Sequence, residues 1–112
     1  MSDRPQNLRA IDRANMLKSR RAEVKRQLRE SVIDALPLLR GDVLEQEDII
    51  AGMRLAALLP AIPAIGRVTT EEICAAVGVR PATRVAELSY EGRAALAGYV
   101  AQALDRPTEE RP

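Results

Sequence analysis

The stretch whose reading decides the fold is Pro63-Ala64-Ile65-Gly66-Arg67-Val68-Thr69-Thr70-Glu71-Glu72-Ile73-Cys74-Ala75-Ala76-Val77-Gly78. It reads as an apolar connector, a sharp bend at Gly66, and a helix that starts within about three residues of the bend. Thr69 and Glu72 have the spacing of a capping box ahead of the stripe Ile73, Ala76 and Val77. Gly78 stands where a left-handed residue ends a helix.

Upstream, Asp48-Ile49-Ile50-Ala51-Gly52-Met53-Arg54-Leu55-Ala56-Ala57-Leu58-Leu59 predicts a single helix, N-capped by Asp48 and ended by Pro60. Val43 to Glu47 is ambiguous, and Gly41-Asp42 reads as a break. Neither Gly nor Pro interrupts Gln6 to Leu36, and Leu8, Ile11, Leu17, Val24 and Leu28 recur at near-helical spacing. This predicts one long amphipathic helix with Met1 to Pro5 frayed. Val32 to Leu39 either continues it or forms a second short helix, with Pro37 distorting the backbone there. Downstream, Arg80-Pro81 opens a turn, and Pro81 is placed to start a short helix through Leu88. Ser89 is a candidate N-cap for a last helix from Tyr90 to about Leu104, with Leu96, Tyr99 or Val100, and Leu104 as its stripe. No segment alternates as a strand does. The expected fold is all-α, about five helices: a basic N-terminal helix over 1–30, a small helical domain over 31–105 and a polar tail over 106–112.

Composition narrows the function. The chain has 112 residues, enough for one domain, with two Tyr and neither Phe nor Trp, so the core must be aliphatic. It has no His, which excludes histidine acid–base catalysis and histidine metal sites. A single Cys, Cys74, excludes an intrachain disulfide and a cysteine zinc cluster, and a small buried residue is its expected role. Met53 and both tyrosines are expected to pack. The acids Glu45, Glu47 and Asp48 suit a helix start better than a cation loop. Glycine-rich nucleotide loops and nucleophile elbows are absent, so no cofactor is expected and an enzyme is a distant third reading. The first 30 residues lack a signal-peptide apolar region, and the longest apolar stretch, Leu55 to Ile65, is broken by Pro60 and Pro63. The expectation is a soluble, cytoplasmic chain with no membrane contact.

Charge is divided unevenly. Residues 1–40 hold ten Lys and Arg against five acids, and residues 41–112 hold seven against eleven. The cluster Arg20, Arg21, Lys25 and Arg26 fits a polyanion partner, and it equally fits a solvated helix face. At the bend, Gly66 allows close backbone approach, the following helix start offers free amides, and Arg67 adds a permanent charge, a combination suited to phosphate. Arg80 and Arg84 follow one helix later. The alternative is a plain turn glycine, and Glu71 and Glu72 in the first turn oppose phosphate.

From Leu58 to Leu96 the chain resembles the actinobacterial integration host factors, small nucleoid proteins. The likeness is carried by Leu58-Leu59, Pro63-Ala64-Ile65-Gly66-Arg67-Val68, Ile73, Val77-Gly78-Val79, Thr83-Arg84-Val85 and Leu88. Arg21-Ala22-Glu23-Val24-Lys25-Arg26 is similar to the family's basic helix, and 48–59 to its next landmark. The resemblance implies a long helix followed by a helix–two-turns–helix domain that binds duplex DNA through its backbone with low sequence specificity. It further implies DNA bending, a role in nucleoid organisation and site-specific recombination, and a recombinase or other protein as a possible partner. By position, Gly66 and Arg67 match the family's phosphate-binding turn, Arg84 the second arginine of its later basic segment, and Arg54 a lysine.

Four positions depart from the family. Ala64 replaces the first turn glycine, Thr83 and Ala86 replace arginines, and Glu71 replaces a lysine. Losing three phosphate contacts weakens binding at ~0.1 M salt by roughly several-hundred-fold, taking ~1 M as reference. The expectation is a divergent architectural DNA-binding protein, its oligomeric state open with a monomer favoured, with Arg20, Arg21, Lys25, Arg54, Ile65, Gly66, Arg67, Arg80 and Arg84 as its contact residues. Moderate bending is expected over intercalative kinking, for which Ile65 or Leu88 could serve as an apolar wedge. The alternative is an interaction module of phage or mobile-element type that kept the fold and lost most DNA affinity.

Overall fold

A computed structural model describes residues 3–105, with side chains from Ala10 onward. Met1, Ser2 and the tail 106–112 lie outside the described residues. Six α-helices follow one another: α1 Asp3–Arg29, α2 Ala35–Arg40, α3 Leu44–Ala51, α4 Leu55–Leu58, α5 Arg67–Val77 and α6 Tyr90–Leu104. Two 3-10 turns, Leu59–Ala61 and Val85–Glu87, complete the described elements. The helix thus already includes Asp3 to Pro5, with Pro5 tolerated in its first turn.

The long amphipathic run stops earlier than Leu36. Ser31 takes a left-handed conformation (φ 57), its amide donates to Leu28 O at 3.1 Å, and the Val32 amide donates to Gln27 O at 2.8 Å. This is a Schellman ending built on serine instead of glycine. Asp34 then caps α2 by accepting from the Leu36 amide at 3.1 Å, so Pro37 sits in the first turn of a new helix and causes no kink. Gly41 closes α2 at φ 90.

The single helix expected over 48–59 is two. Asp48 lies inside α3, which begins at Leu44, and is not an N-cap. The helix breaks at Gly52-Met53-Arg54 because another segment takes the backbone groups: Leu55 N donates to Thr83 O at 2.9 Å, Ala56 N to Pro81 O at 2.8 Å, and Val85 N to Met53 O at 3.0 Å. The same bonds, with a turn closed by the Thr83 amide on Arg80 O at 3.0 Å, keep Pro81 to Arg84 out of a helix, so the short helix expected from Pro81 shrinks to the 3-10 turn Val85–Glu87. The last helix begins and ends where its sequence predicts, with Ser89 Oγ accepting from the Gly92 amide at 3.0 Å.

The core is aliphatic, as the composition requires. Leu28, Leu38, Leu39, Ile50, Leu55, Leu58, Leu59, Val85, Leu96, Val100 and Cys74 are fully buried. At about 1.5–3 kcal/mol for each large side chain, this cluster dominates stability. Ala97 joins Leu96 and Val100 on α6, whereas Tyr99 and Leu104 are exposed. Met53 packs inside, but Tyr90 stands in solvent. Val24 and Leu28 dock α1 on the body, while every side chain from Ala10 to Arg20 is exposed. The molecule is therefore a helical body with a projecting arm, 63 × 28 × 24 Å.

Candidate nucleic-acid interface

The site is assembled around the break after α3. Arg54 and Arg84 form an isolated antiparallel bridge, flanked by the Leu55–Thr83 and Val85–Met53 backbone bonds. That pattern makes 54 and 84 a non-hydrogen-bonded pair, the class with the closest side chains. Both arginines are exposed, and neither forms an ion pair with a carboxylate among the described residues. Like charges directly opposite cost stability unless an anion sits between them. Residues thirty positions apart are thus paired by a ladder that hydrophobic periodicity could not reveal.

Arg21 reaches the same place from α1. Its Nη2 donates to Gly52 O at 3.4 Å, and a Cβ added at Gly52 would lie 2.7 Å from that nitrogen. The basic helix is therefore tied to the body two residues before Arg54. Arg20 is exposed and Lys25 half-buried on the same helix. Arg26 is engaged by Glu23 and by Glu30, the latter at 2.7 Å. These bonds hold the Glu23 carboxyl below its ordinary range and push the Arg26 guanidinium up.

On the other side of the ladder lies a cleft of about 250 Å3 whose lining includes Ala56, Pro81, Arg67 and Thr70. Arg67 opens α5, with Gly66 as its N-cap and no side chain capping the helix. The expected capping box does not form. Helix α5 starts before Thr69, and the next residue, Thr70, donates from its hydroxyl to Gly66 O at 2.8 Å. The first amides of α5 therefore stay uncapped, at the positive end of an 11-residue helix. The left-handed residue of the bend is Ala64 (φ 73), not Gly66, whose φ of −95 and ψ of −171 are open to any residue. A Cβ at Gly66 would meet nothing within 4 Å, so no contact within the fold requires glycine there. Arg67 is 92% exposed and lies 3.8 Å from Glu71, the acid that partly offsets it.

Arg80 is exposed beside Pro81, and its amide donates to Thr83 Oγ1 at 3.3 Å. Thr83 thus serves the turn. The structure brings Arg21, Arg54, Arg67, Arg80 and Arg84 around one corner of the body. It does not bring Ile65 there as a wedge: that side chain is 3% exposed and belongs to the core. Leu88 also packs against the core. Ile65, buried among its neighbours, cannot enter a base step, and Leu88 is partly buried.

Sequence reading missed Arg93. Its guanidinium holds Glu47 and the carbonyls of Leu38 and Leu39, fastening α6 to α2 and α3 behind the site. Glu47 belongs to the acid cluster, whose reading as a helix start did not point to this pair.

Residues 40–99 match the family described as S13-like H2TH domain. The chain is similar to proteins named integration host factor. It is 29% identical over 91 residues to that of Mycobacterium tuberculosis, covering 81% of this chain and 85% of the relative. The Streptomyces coelicolor protein is likewise 29% identical over 91 residues, with 81% and 83% covered. The Mycolicibacterium smegmatis protein gives 29% identity over the same length, with 81% and 85% covered. No solved structure matches the chain. Among the described residues no helix is long and apolar enough to cross a membrane.

Proposed function

Because the chain belongs to the S13-like H2TH domain family and is a divergent relative of the integration host factors, we propose that it is an architectural, low-specificity duplex-DNA-binding protein. The observation that carries this reading is the Arg54–Arg84 pair, two residues from the Gly52 carbonyl that holds Arg21. Its guanidiniums form no ion pair among the described residues, although Glu87 accepts from the Arg84 amide. Phosphate oxygens between the paired guanidiniums relieve their repulsion, and each contact releases counterions. The uncapped amides at the start of α5, with Arg67, take a phosphate further along the same strand or across a groove. Arg20, Arg21 and Lys25 extend the positive surface onto α1. A duplex engaged by both the body and the arm is bent toward the corner between them. With Ile65 in the core, that bend is a smooth one without an inserted wedge. This chemistry suits nucleoid organisation and the shaping of DNA for a recombinase.

The deciding experiment is fluorescence anisotropy on a random-sequence duplex across a salt series. The proposal expects log K to fall steeply with log salt, and Arg54→Ala, Arg84→Ala and Arg67→Ala each to flatten the slope by about 0.9. Gly66→Ala, which meets no steric obstacle within the fold, should weaken binding only if a partner's phosphate approaches that backbone. Absence of binding at ~0.15 M salt, or NMR shifts from an added oligonucleotide that spare Arg54, Gly66, Arg67 and Arg84, overturns the reading. The Arg67–Glu71 contact supports a second reading, a protein-interaction module with weakened DNA affinity. The same salt series separates the two.

A further inference from the structure

The two ends of α1 carry apolar surfaces that nothing among the described residues covers. On the arm, Ala10, Ala14 and Leu17 are spaced four, three and seven apart and share one face, with Ile11 at its edge three residues before Ala14. Ile11 is 54% exposed and Leu17 37%. The face continues the stripe of Arg21, Val24 and Leu28, whose last two members are buried on the body. At the other end of α1, Leu28, Val32, Ile33, Ile62 and Leu104 line a groove of about 470 Å3, with Val32 61% and Leu104 40% exposed. A neighbouring depression shares Leu104 and runs along Leu36 and Ala101 to Asp105.

The charges of the two surfaces are complementary. Arg13, Lys18 and Arg20 flank the apolar face of the arm, while Asp34 and Asp105 stand at the groove. None of the five forms an ion pair among the described residues. Two arms laid against each other would instead bring like charges together.

We infer that the arm of one copy seats in the groove of a second copy, with Ile11 and Leu17 against Val32 and Leu104. The groove has room for a few aliphatic side chains, and the acids at its rim meet the basic flanks of the arm. Four apolar side chains, two of them alanine, cover far less than the ~800 Å2 per partner of a stable complex. The association is therefore weak, belonging to protein at high local concentration. It needs no DNA, so its fate is independent of the reading above.

Sedimentation equilibrium of the full chain without DNA, to ~1 mM, tests it. The weight-average mass should rise from the monomer's 12.3 kDa by half or more, and the rise should shrink with added salt. Ile11→Gln/Leu17→Gln on the arm, and separately Val32→Gln/Leu104→Gln in the groove, should hold the mass at the monomer value. All four side chains are exposed and no charge changes, so circular dichroism should match the parent chain. An equimolar mixture of the two variants should associate again, because one supplies an arm and the other a groove. A wild-type mass fixed at 12.3 kDa overturns the inference. So does self-association of either variant alone, or a mixture that stays monomeric. Loss of duplex affinity in the arm variant with an unchanged wild-type mass assigns the face to DNA and overturns it equally.

Discussion

The guanidinium of Arg93 holds both carboxylate oxygens of Glu47, at 2.6 and 3.0 Å, while donating to the carbonyls of Leu39 at 2.8 Å and Leu38 at 3.2 Å. One side chain thereby satisfies the last turn of α2 and locks it to α3 and α6. The side chains are 13% and 29% exposed, so the pair is neither fully desolvated nor freely screened. Arg93→Met should cost about 2–3 kcal/mol in urea unfolding, because it leaves a partly buried carboxylate and the Leu39 carbonyl without their donor, while Leu38 O keeps the Gly41 amide. The double variant Arg93→Met/Glu47→Leu should recover part of that loss.

The Arg54–Arg84 bridge trades stability for binding. Replacing either residue with Gln removes like-charge repulsion across a close cross-strand pair and should raise stability by a few tenths of a kcal/mol, up to about 1. Melting curves and the anisotropy salt series on the same variants should therefore move in opposite directions.

Ser31 and Ala64 occupy left-handed backbone, φ 57 and 73, without being glycine. Ser31→Gly and Ala64→Gly should each stabilise by about 1 kcal/mol, raising Tm by about 4 °C or more. Substituting valine at either position should do the reverse. For Ala64, the restored glycine tests whether the departure from the family bend weakens DNA contact.

Arg26 is withheld from a partner by Glu23 and Glu30. Glu23→Gln/Glu30→Gln should release it and steepen the salt dependence of duplex binding by about 0.9. Because Arg26 lowers the folded-state pKa of Glu23, this bond contributes to the folded helix at pH above the ordinary carboxylate range. The contribution fades as pH falls through the depressed value, so circular dichroism of the parent chain should lose a helical increment in acid that the double variant lacks.

Cys74 is fully buried and burial pushes its thiol up. A thiol-reactive disulfide reagent at pH 8 should label the native chain only as fast as it unfolds, and promptly in denaturant.

Much of this was legible from residue order. Gly78 ending α5 (φ 88), Ser89 capping α6 and the aliphatic core all follow from local chemistry. What escaped was decided by distant segments. The Leu55–Thr83 and Val85–Met53 bonds split a run that local propensity reads as one helix, and no spacing rule in either segment announces the other. Thr69 and Glu72 fit the capping-box pattern, yet the neighbouring Thr70 hydroxyl, bonded to Gly66 O, anchors an earlier start. Ile65 is an aliphatic residue beside the basic bend, yet its side chain lies in the core. At the candidate interface, Gly66-Arg67 and Arg84 stood out by type and spacing. The opposition of Arg54 to Arg84 and the reach of Arg21 to Gly52 required the fold.

The arm of α1 also has a thermal consequence. The arm runs from Asp3 to Arg20 with every side chain from Ala10 onward exposed, and a helix in that position is weakly held in water, since nucleating its first turn is unfavourable. Here the docked turn at Val24 and Leu28 acts as the nucleus from which those residues propagate. Amide exchange should therefore quicken steadily from Leu28 toward Ala10, and warming should shorten the arm while the body stays intact. Whatever the arm holds, its grip is graded by temperature through the fraction of turns still wound.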